Sequence, residues 1–157
     1  MKEMELGALY VYLGVTIAVL FSGFGSAYGV GTAGKVSAGV VTEDPKKFGQ
    51  TLILTALPGT QGIYGFVIGM LMVFKLTAAA GPIPIETGLQ FLVAGVPIGL
   101  VGCLSAILQG KVAAAGVGIV AKRPEEASKG IVYAGLVETY AILAFIISFF
   151  LLNAITI

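Results

Sequence analysis

Four stretches of the chain carry no charged side chain or a single one: Leu6 to Gly34, Phe48 to Phe74, Thr87 to Gly110, and Gly130 to Ile157, the last interrupted only by Glu138. Each exceeds the roughly 20 residues with which a helix crosses about 30 Å of hydrocarbon. The pattern therefore predicts an all-α membrane protein with four transmembrane helices. The connections are short and carry turn residues: Glu43 to Lys47, Lys75 to Glu86 with Gly81-Pro82-Ile83-Pro84, and Lys122 to Lys129. No basic region precedes the first span and no small-residue cleavage site follows it, so it is expected to be kept as a helix rather than removed as a signal peptide.

Composition agrees with that pattern. The chain of 157 residues is 57% hydrophobic and 11% charged with a net charge of +1, and its mean hydropathy is +1.01; a globular domain averages about a quarter charged residues. Length fits a single membrane domain over residues 1–157. With no His and one Cys, Cys103, the sequence excludes a disulfide framework, a Cys/His zinc site and any Ser-His-Asp or Cys-His mechanism within the chain. The near-neutral balance gives no reason to expect nucleic acid as a partner.

Charge placement predicts orientation. Lys46, Lys47, Lys122, Arg123 and Lys129 fall in the first and third connections, against Lys2 and Lys75 on the other side. By the positive-inside rule, loops 42–49 and 121–129 face the cytoplasm and both termini lie outside, as in a multi-pass protein of the cell membrane.

The two halves resemble each other. A shift of 79 residues lays Pro45 on Pro124, Gly23 on Gly102, Ser26-Ala27 on Ser105-Ala106, Gly31 on Gly110, Leu57 on Leu136, Thr60 on Thr139 and Phe66 on Phe145. Two tandem, parallel helical hairpins follow, repeat 1 over about 6–75 and repeat 2 over about 86–157. The repeat is most informative where it fails: Glu138 falls on Gly59, Gln109 on Val30 and Tyr140 on Gln61. One hairpin has a carboxylate where the other has polar amide and hydroxyl groups nearby.

Glu138 is the acid inside a span, and an ionisable group in lipid, costing about 2.5 kcal/mol or more, marks an ion path or a paired charge by default. Gln61 and Thr60 lie 16 and 15 residues after Pro45, Glu138 lies 14 after Pro124, and Gln109 lies 15 before Pro124. At 1.5 Å per residue these depths are about 24, 22, 21 and 22 Å, within roughly one helical turn of each other. On the second span Leu57, Thr60, Gln61 and Tyr64 share a face by i, i+3, i+4, i+7 spacing. Pro58 in the same turn should bend the helix and free a backbone oxygen. A carboxylate, two amides, a hydroxyl and a carbonyl form a hard-oxygen set with one negative charge, suited to a dehydrated monovalent cation.

The competing structural reading has Gln and Thr merely bonding between helices, at about 0.6 kcal/mol each. A proton carrier would need only Glu138, so buried Gln61 and Gln109 favour sodium over proton. Lys111 could pair with Glu138, but it lies two residues from Gln109, about 200° around the helix, and cannot share that face. It either lines another cavity or snorkels toward the cytoplasmic end.

Gly29 to Gly34 matches G-x-G-x-x-G literally, yet the run lies inside a membrane span and has no strand before it, so it is not a dinucleotide site. Small residues spaced every four (Ser22, Ser26; Gly25, Gly29; Gly23, Ala27, Gly31), echoed by Ala113 to Gly116 and Gly118, predict that spans 1 and 3 are crowded inner helices. Spans 2 and 4, with Phe66 to Phe74 and Phe145 to Leu152, suit a lipid-facing outer layer, as in a ring of wedge-shaped protomers.

Phe21-Ser22-Gly23 with Gly25-Ser26-Ala27, Leu57 to Gly62 with Tyr64-Gly65-Phe66, Gln109 to Gly116, and Val137 to Leu143 together resemble the rotor-ring proteolipid subunits of rotary V-type ATPases, and within them the K subunits of bacterial sodium-transporting enzymes. The resemblance covers nearly the whole chain except the first dozen residues. It implies doubled hairpins assembling into a rotor ring, with Glu138 as the essential ion-translocating carboxylate. It implies sodium ligands at Leu57 (backbone carbonyl), Thr60, Gln61, Gln109 and Glu138, with Tyr64 bonding the carboxylate; the residues do not separate sodium from lithium as the ion. Expected partners are identical protomers, a stator membrane subunit with a buried arginine, a central-stalk subunit and lipid. The chain has no P-loop, so it is expected to be a non-catalytic subunit, with ATP hydrolysis in a separate soluble head. The rivals are a proton-translocating ring, a small multidrug transporter with one membrane Glu, and a structural scaffold. Multidrug transporters of that kind usually have an aromatic-lined cavity, whereas this chain has no Trp.

Overall fold

A computed structural model describes the backbone of residues 2–157 and the side chains of residues 6–157. Prolines set the turns after the first and third spans. Asp44 (φ −140°, ψ 94°) and Arg123 (φ −144°, ψ 74°) leave the helical region just before Pro45 and Pro124, because the proline ring crowds a helical residue ahead of it. The Asp44 carboxylate then accepts the Lys46 N–H at 3.1 Å, capping the next turn. Four long apolar helices result: α1 (Leu6–Glu43), α2 (Pro45–Ala78), α3 (Ile85–Lys122) and α4 (Pro124–Ala154).

All four helices outrun their charge-free stretches, α1 and α3 by the most. α1 passes Gly34 and Lys35 to end at Glu43, and α3 passes Gly110 and Lys111 to end at Lys122. A single lysine is a good helix former and does not stop a helix; the X-Pro step does. Each of the two is 38 residues, which makes about 57 Å of helix against about 30 Å of hydrocarbon, so their ends project from the lipid.

α3 is the crowded helix, packing on all three others. Where it crosses α1, a Cβ on Gly110 would fall on the Gly29 backbone, and one on Gly29 would meet the Ala106 carbonyl. The small residues of α1 occupy more than one face. Ser22, Gly25, Ser26, Gly29 and Ala33 are buried, but a Cβ on Gly23 or Gly31 would meet nothing within 4 Å, and Phe24 and Tyr28 are exposed. A helix has one face toward α3, so the second row is left outside within the protomer. Of the bulky side chains expected to face lipid, Phe66, Phe74 and Phe150 are exposed, whereas Ile68, Met72 and Leu152 are buried in the core.

The interior has two apolar clusters. One holds Val11, Ala18, Ile68, Met72, Phe91 and Ile98; the other, toward the proline turns, holds Ala33, Leu54, Ala113, Val117, Val120 and Ala134. Buried polar side chains lie on the residues between them: Ser22, Ser26, Gln61, Ser105 and Gln109. Side-chain bonds also tie the halves of the chain together at both ends. Lys47 Nζ donates to the Ala121 carbonyl at 2.8 Å and Gln50 to the Pro124 carbonyl at 3.0 Å, while Lys75 Nζ donates to the carbonyls of Leu152 (3.0 Å) and Ile155 (2.5 Å).

Candidate cation site

The site begins with an interruption in α2. Pro58 has no N–H to give the helix and its ring crowds the carbonyl four residues back. The chain answers with a 3-10 turn, Leu57–Gly59, and the α-helix restarts at Thr60. The carbonyl four residues back is that of Leu54; the Leu57 carbonyl, which the resemblance makes a ligand, is a different one and is not an orphan. Leu57 O accepts the Thr60 N–H and the Thr60 hydroxyl at 3.0 Å. The tightened turn brings the carbonyl beside the next side chains rather than leaving it without a partner.

Gln61 follows at once and is fully buried. Its Nε2 donates to Gln109 Oε1 at 2.6 Å and to Ser105 Oγ at 3.3 Å. Its Oε1 lies 3.4 Å from Thr60 Oγ1. The Thr60 hydroxyl reaches both Leu57 O and Gln61 Oε1; its one proton satisfies one of them at a time, and the lone pairs left over are available to a cation.

Gln109, also fully buried, arrives from α3. Its Nε2 donates to the Ala134 carbonyl at 3.0 Å and to Glu138 Oε2 at 3.3 Å. Both ends of this amide are engaged, so it offers a cation only the remaining lone pair of Oε1, less than a free amide would. Glu138 on α4 is half-buried, and its other oxygen, Oε1, accepts the Tyr64 hydroxyl at 2.7 Å. The Tyr64 ring is in turn held against Phe145, centroids 5.5 Å apart.

Three helices therefore bring Leu57, Thr60, Gln61, Tyr64, Gln109 and Glu138 into one bonded cluster. Among the described residues no buried side-chain nitrogen or oxygen lacks a partner. Lys111 stands apart: Gln109 is buried whereas Lys111 is exposed, and no described carboxylate lies in ion-pair range of it. Thr139 and Tyr140, repeat partners of Thr60 and Gln61, are exposed and outside the cluster.

The sequence marks Ser26 only as a small packing residue and gives Ser105 no role, yet both touch the cluster. Ser26 Oγ accepts the Gly62 N–H at 2.8 Å, and Ser105 Oγ donates to the Val137 carbonyl at 3.0 Å. The signal was their alignment in the repeat, which marks a shared position but not what it bonds.

The sequence pattern of one family, the C subunits of ATP synthase, matches the chain twice, over residues 13–72 and 92–151. The chain belongs to that family. Among its relatives are the V-type sodium ATPase subunit K of Enterococcus hirae, 53% identical over 94% of this chain and 94% of the relative, and the A-type ATP synthase subunit K of Methanocaldococcus jannaschii, 41% identical over 89% of this chain and 60% of the relative. A V-type proton ATPase 16 kDa proteolipid of Caenorhabditis elegans is 33% identical over 72% of this chain and 70% of its own length. Membership in this family and four apolar helices make the chain a multi-pass membrane protein. The relatives named are subunits of ATPases and of an ATP synthase, one of them a sodium ATPase and one a proton ATPase.

Proposed function

We propose that the chain is the rotor-ring subunit of a rotary V-type ATPase that carries Na+ across the cell membrane, one ion per protomer at Glu138. The observation that carries this is the convergence of Glu138, Thr60 and the Leu57 carbonyl, all half-buried, with the fully buried Gln61 and Gln109 in one bonded cluster. The identity with a V-type sodium ATPase subunit K points the same way, because the proton-ATPase relative is more distant.

The oxygens of Leu57, Thr60, Gln61, Gln109 and Glu138 bind the ion, and Tyr64 steadies the carboxylate. Thr60 Oγ1 stands 3.0 Å from Leu57 O and 3.4 Å from Gln61 Oε1, edges that a cation with oxygen ligands at about 2.4 Å can span. The ion neutralises Glu138, so the loaded site can turn through lipid without exposing a charge. At a stator subunit bearing a buried arginine, attraction between arginine and Glu138 releases the ion into an exit path, and the vacated site reloads from the other side. ATP is hydrolysed in a separate soluble head, coupled through a central stalk, and this subunit is non-catalytic. Li+ is a second cargo with the same charge. Loops 42–49 and 121–129 face the cytoplasm and both termini face outward. The chain is one membrane domain of two fused hairpins, a reading supported by the double family match.

The test is carbodiimide modification of Glu138 in purified rings, measured against sodium concentration and pH, since the reagent attacks the protonated acid. Protection by sodium but not potassium is the expected result. Dependence on pH alone makes the ring a proton carrier and leaves Gln61 and Gln109 structural.

A further inference from the structure

Two serines outside the ligand set lie where they control its geometry. We propose that Ser26 and Ser105 are positioning residues for the cation site, a proposal that rests on the cation reading above.

Thr60, Gln61 and Gly62 are the first residues of the helix that restarts after the Leu57–Gly59 turn. The Thr60 N–H goes to Leu57 O across that turn, and the first-turn N–H groups that follow are ones an outside acceptor can serve. Ordinarily a side chain at the cap position serves them, but that position is Gly59, which has none. Ser26 supplies the cap from the neighbouring helix: its Oγ accepts the Gly62 N–H at 2.8 Å, and the residue is only 7% exposed. Leu57 O, Thr60 Oγ1 and Gln61 all lie within five residues of that anchor, so Ser26 fixes where they stand.

Ser105 decides which way the Gln61 amide faces. Its one hydroxyl proton goes to the Val137 carbonyl at 3.0 Å, which leaves only lone pairs toward Gln61. Gln109 is fixed by its own acceptors, because the Ala134 carbonyl and Glu138 both require its NH2, and it therefore turns its oxygen to Gln61. Facing two acceptors, Gln61 must turn its nitrogen to them and its oxygen to Thr60. A flipped Gln61 would offer the cation an NH2.

The two serines are one position of the repeat, 79 residues apart, and so are Pro58 and Val137 beside them. Ser148 is a natural control. It accepts the Ile98 N–H at 3.1 Å just after Pro97, which lies inside α3: the same chemistry beside another proline, away from the site.

The experiment measures the sodium concentration giving half-protection of Glu138 from carbodiimide, at fixed pH, in intact purified rings, together with the thermal stability of each ring. Sodium protects wild-type rings. Ser26→Ala and Ser105→Ala are each expected to raise the half-protecting concentration about tenfold, the effect of one buried hydrogen bond. Ser148→Ala is expected to lower thermal stability while leaving that concentration within about twofold. Ser26→Cys and Ser105→Cys, which keep the volume but offer only a weak sulfur acceptor, replace any alanine variant that does not assemble, with the same shift expected. If the Ser26 and Ser105 variants shift no more than Ser148→Ala, the positioning roles are overturned while the cation site stands. If sodium does not protect wild-type rings, the cation reading is overturned and these roles fall with it.

Discussion

Glu138 receives a phenol on one oxygen and an amide on the other, from two different helices. Those donors hold the carboxylate in place without neutralising it, which leaves the charge to the cargo. Glu138→Gln removes that charge and keeps the shape, so rings should assemble while ATP-driven sodium uptake by the reconstituted complex is lost; uptake that persists would show the carboxylate to be structural. Tyr64→Phe removes one hydrogen bond to a charged group, of the kind worth about 1.5–3 kcal/mol. The half-protecting sodium concentration should rise about tenfold or more. Sequence depth alone brought Thr60, Gln61, Gln109 and Glu138 together, because rise per residue is a local constant. It could not show that the nitrogen of Gln109 goes to Glu138, nor that the oxygen of Leu57 already has partners. Those bonds depend on how far apart helices stand and how they are rotated.

At the scale of elements, one proline and a few glycines shape the bundle. Pro58→Ala restores a backbone donor and should let α2 run straight through the Leu57–Gly59 turn. Sodium affinity should then fall while ring stability holds or rises; unchanged affinity would mean the turn does not set the site. The α1–α3 crossing permits a second comparison. Gly110→Val places a side chain on the Gly29 backbone and should destabilise the protomer by about 1–3 kcal/mol, as overpacking does. Gly31→Ala, with nothing within 4 Å of the added Cβ, should leave the thermal stability of the isolated protomer unchanged. Both glycines lie on small-residue rows in the sequence, and composition does not distinguish the row that packs from the row that stays open.

Across the whole molecule, the two hairpins are joined by long side chains at both ends. Lys75 closes the end away from the proline turns by bonding the carbonyls of Leu152, in the last turn of α4, and of Ile155 just beyond it, where the helix presents its negative dipole. Lys75→Met should lower the midpoint of thermal unfolding by the equivalent of about 1.5–3 kcal/mol. Orientation is testable at the same scale. In a background without Cys103, a thiol reagent confined to the cytoplasmic side should label Lys129→Cys, and labelling only from outside would invert the proposed topology.

Four spans, the halves that align and the depth of each polar side chain were determined by the sequence, because hydropathy and helical rise act within a few residues; charge alone ended spans 1 and 3 too early, at Gly34 and Gly110, where the helices run on to the X-Pro steps. Tertiary structure decided what distance along the chain does not encode: which face of α1 packs on α3, which amide end of Gln61 meets which neighbour, and how Ser26 caps a helix it does not belong to. These depend on the rotation and separation of α1, α2, α3 and α4, which are fixed only when glycine backbones meet and every buried donor has found an acceptor.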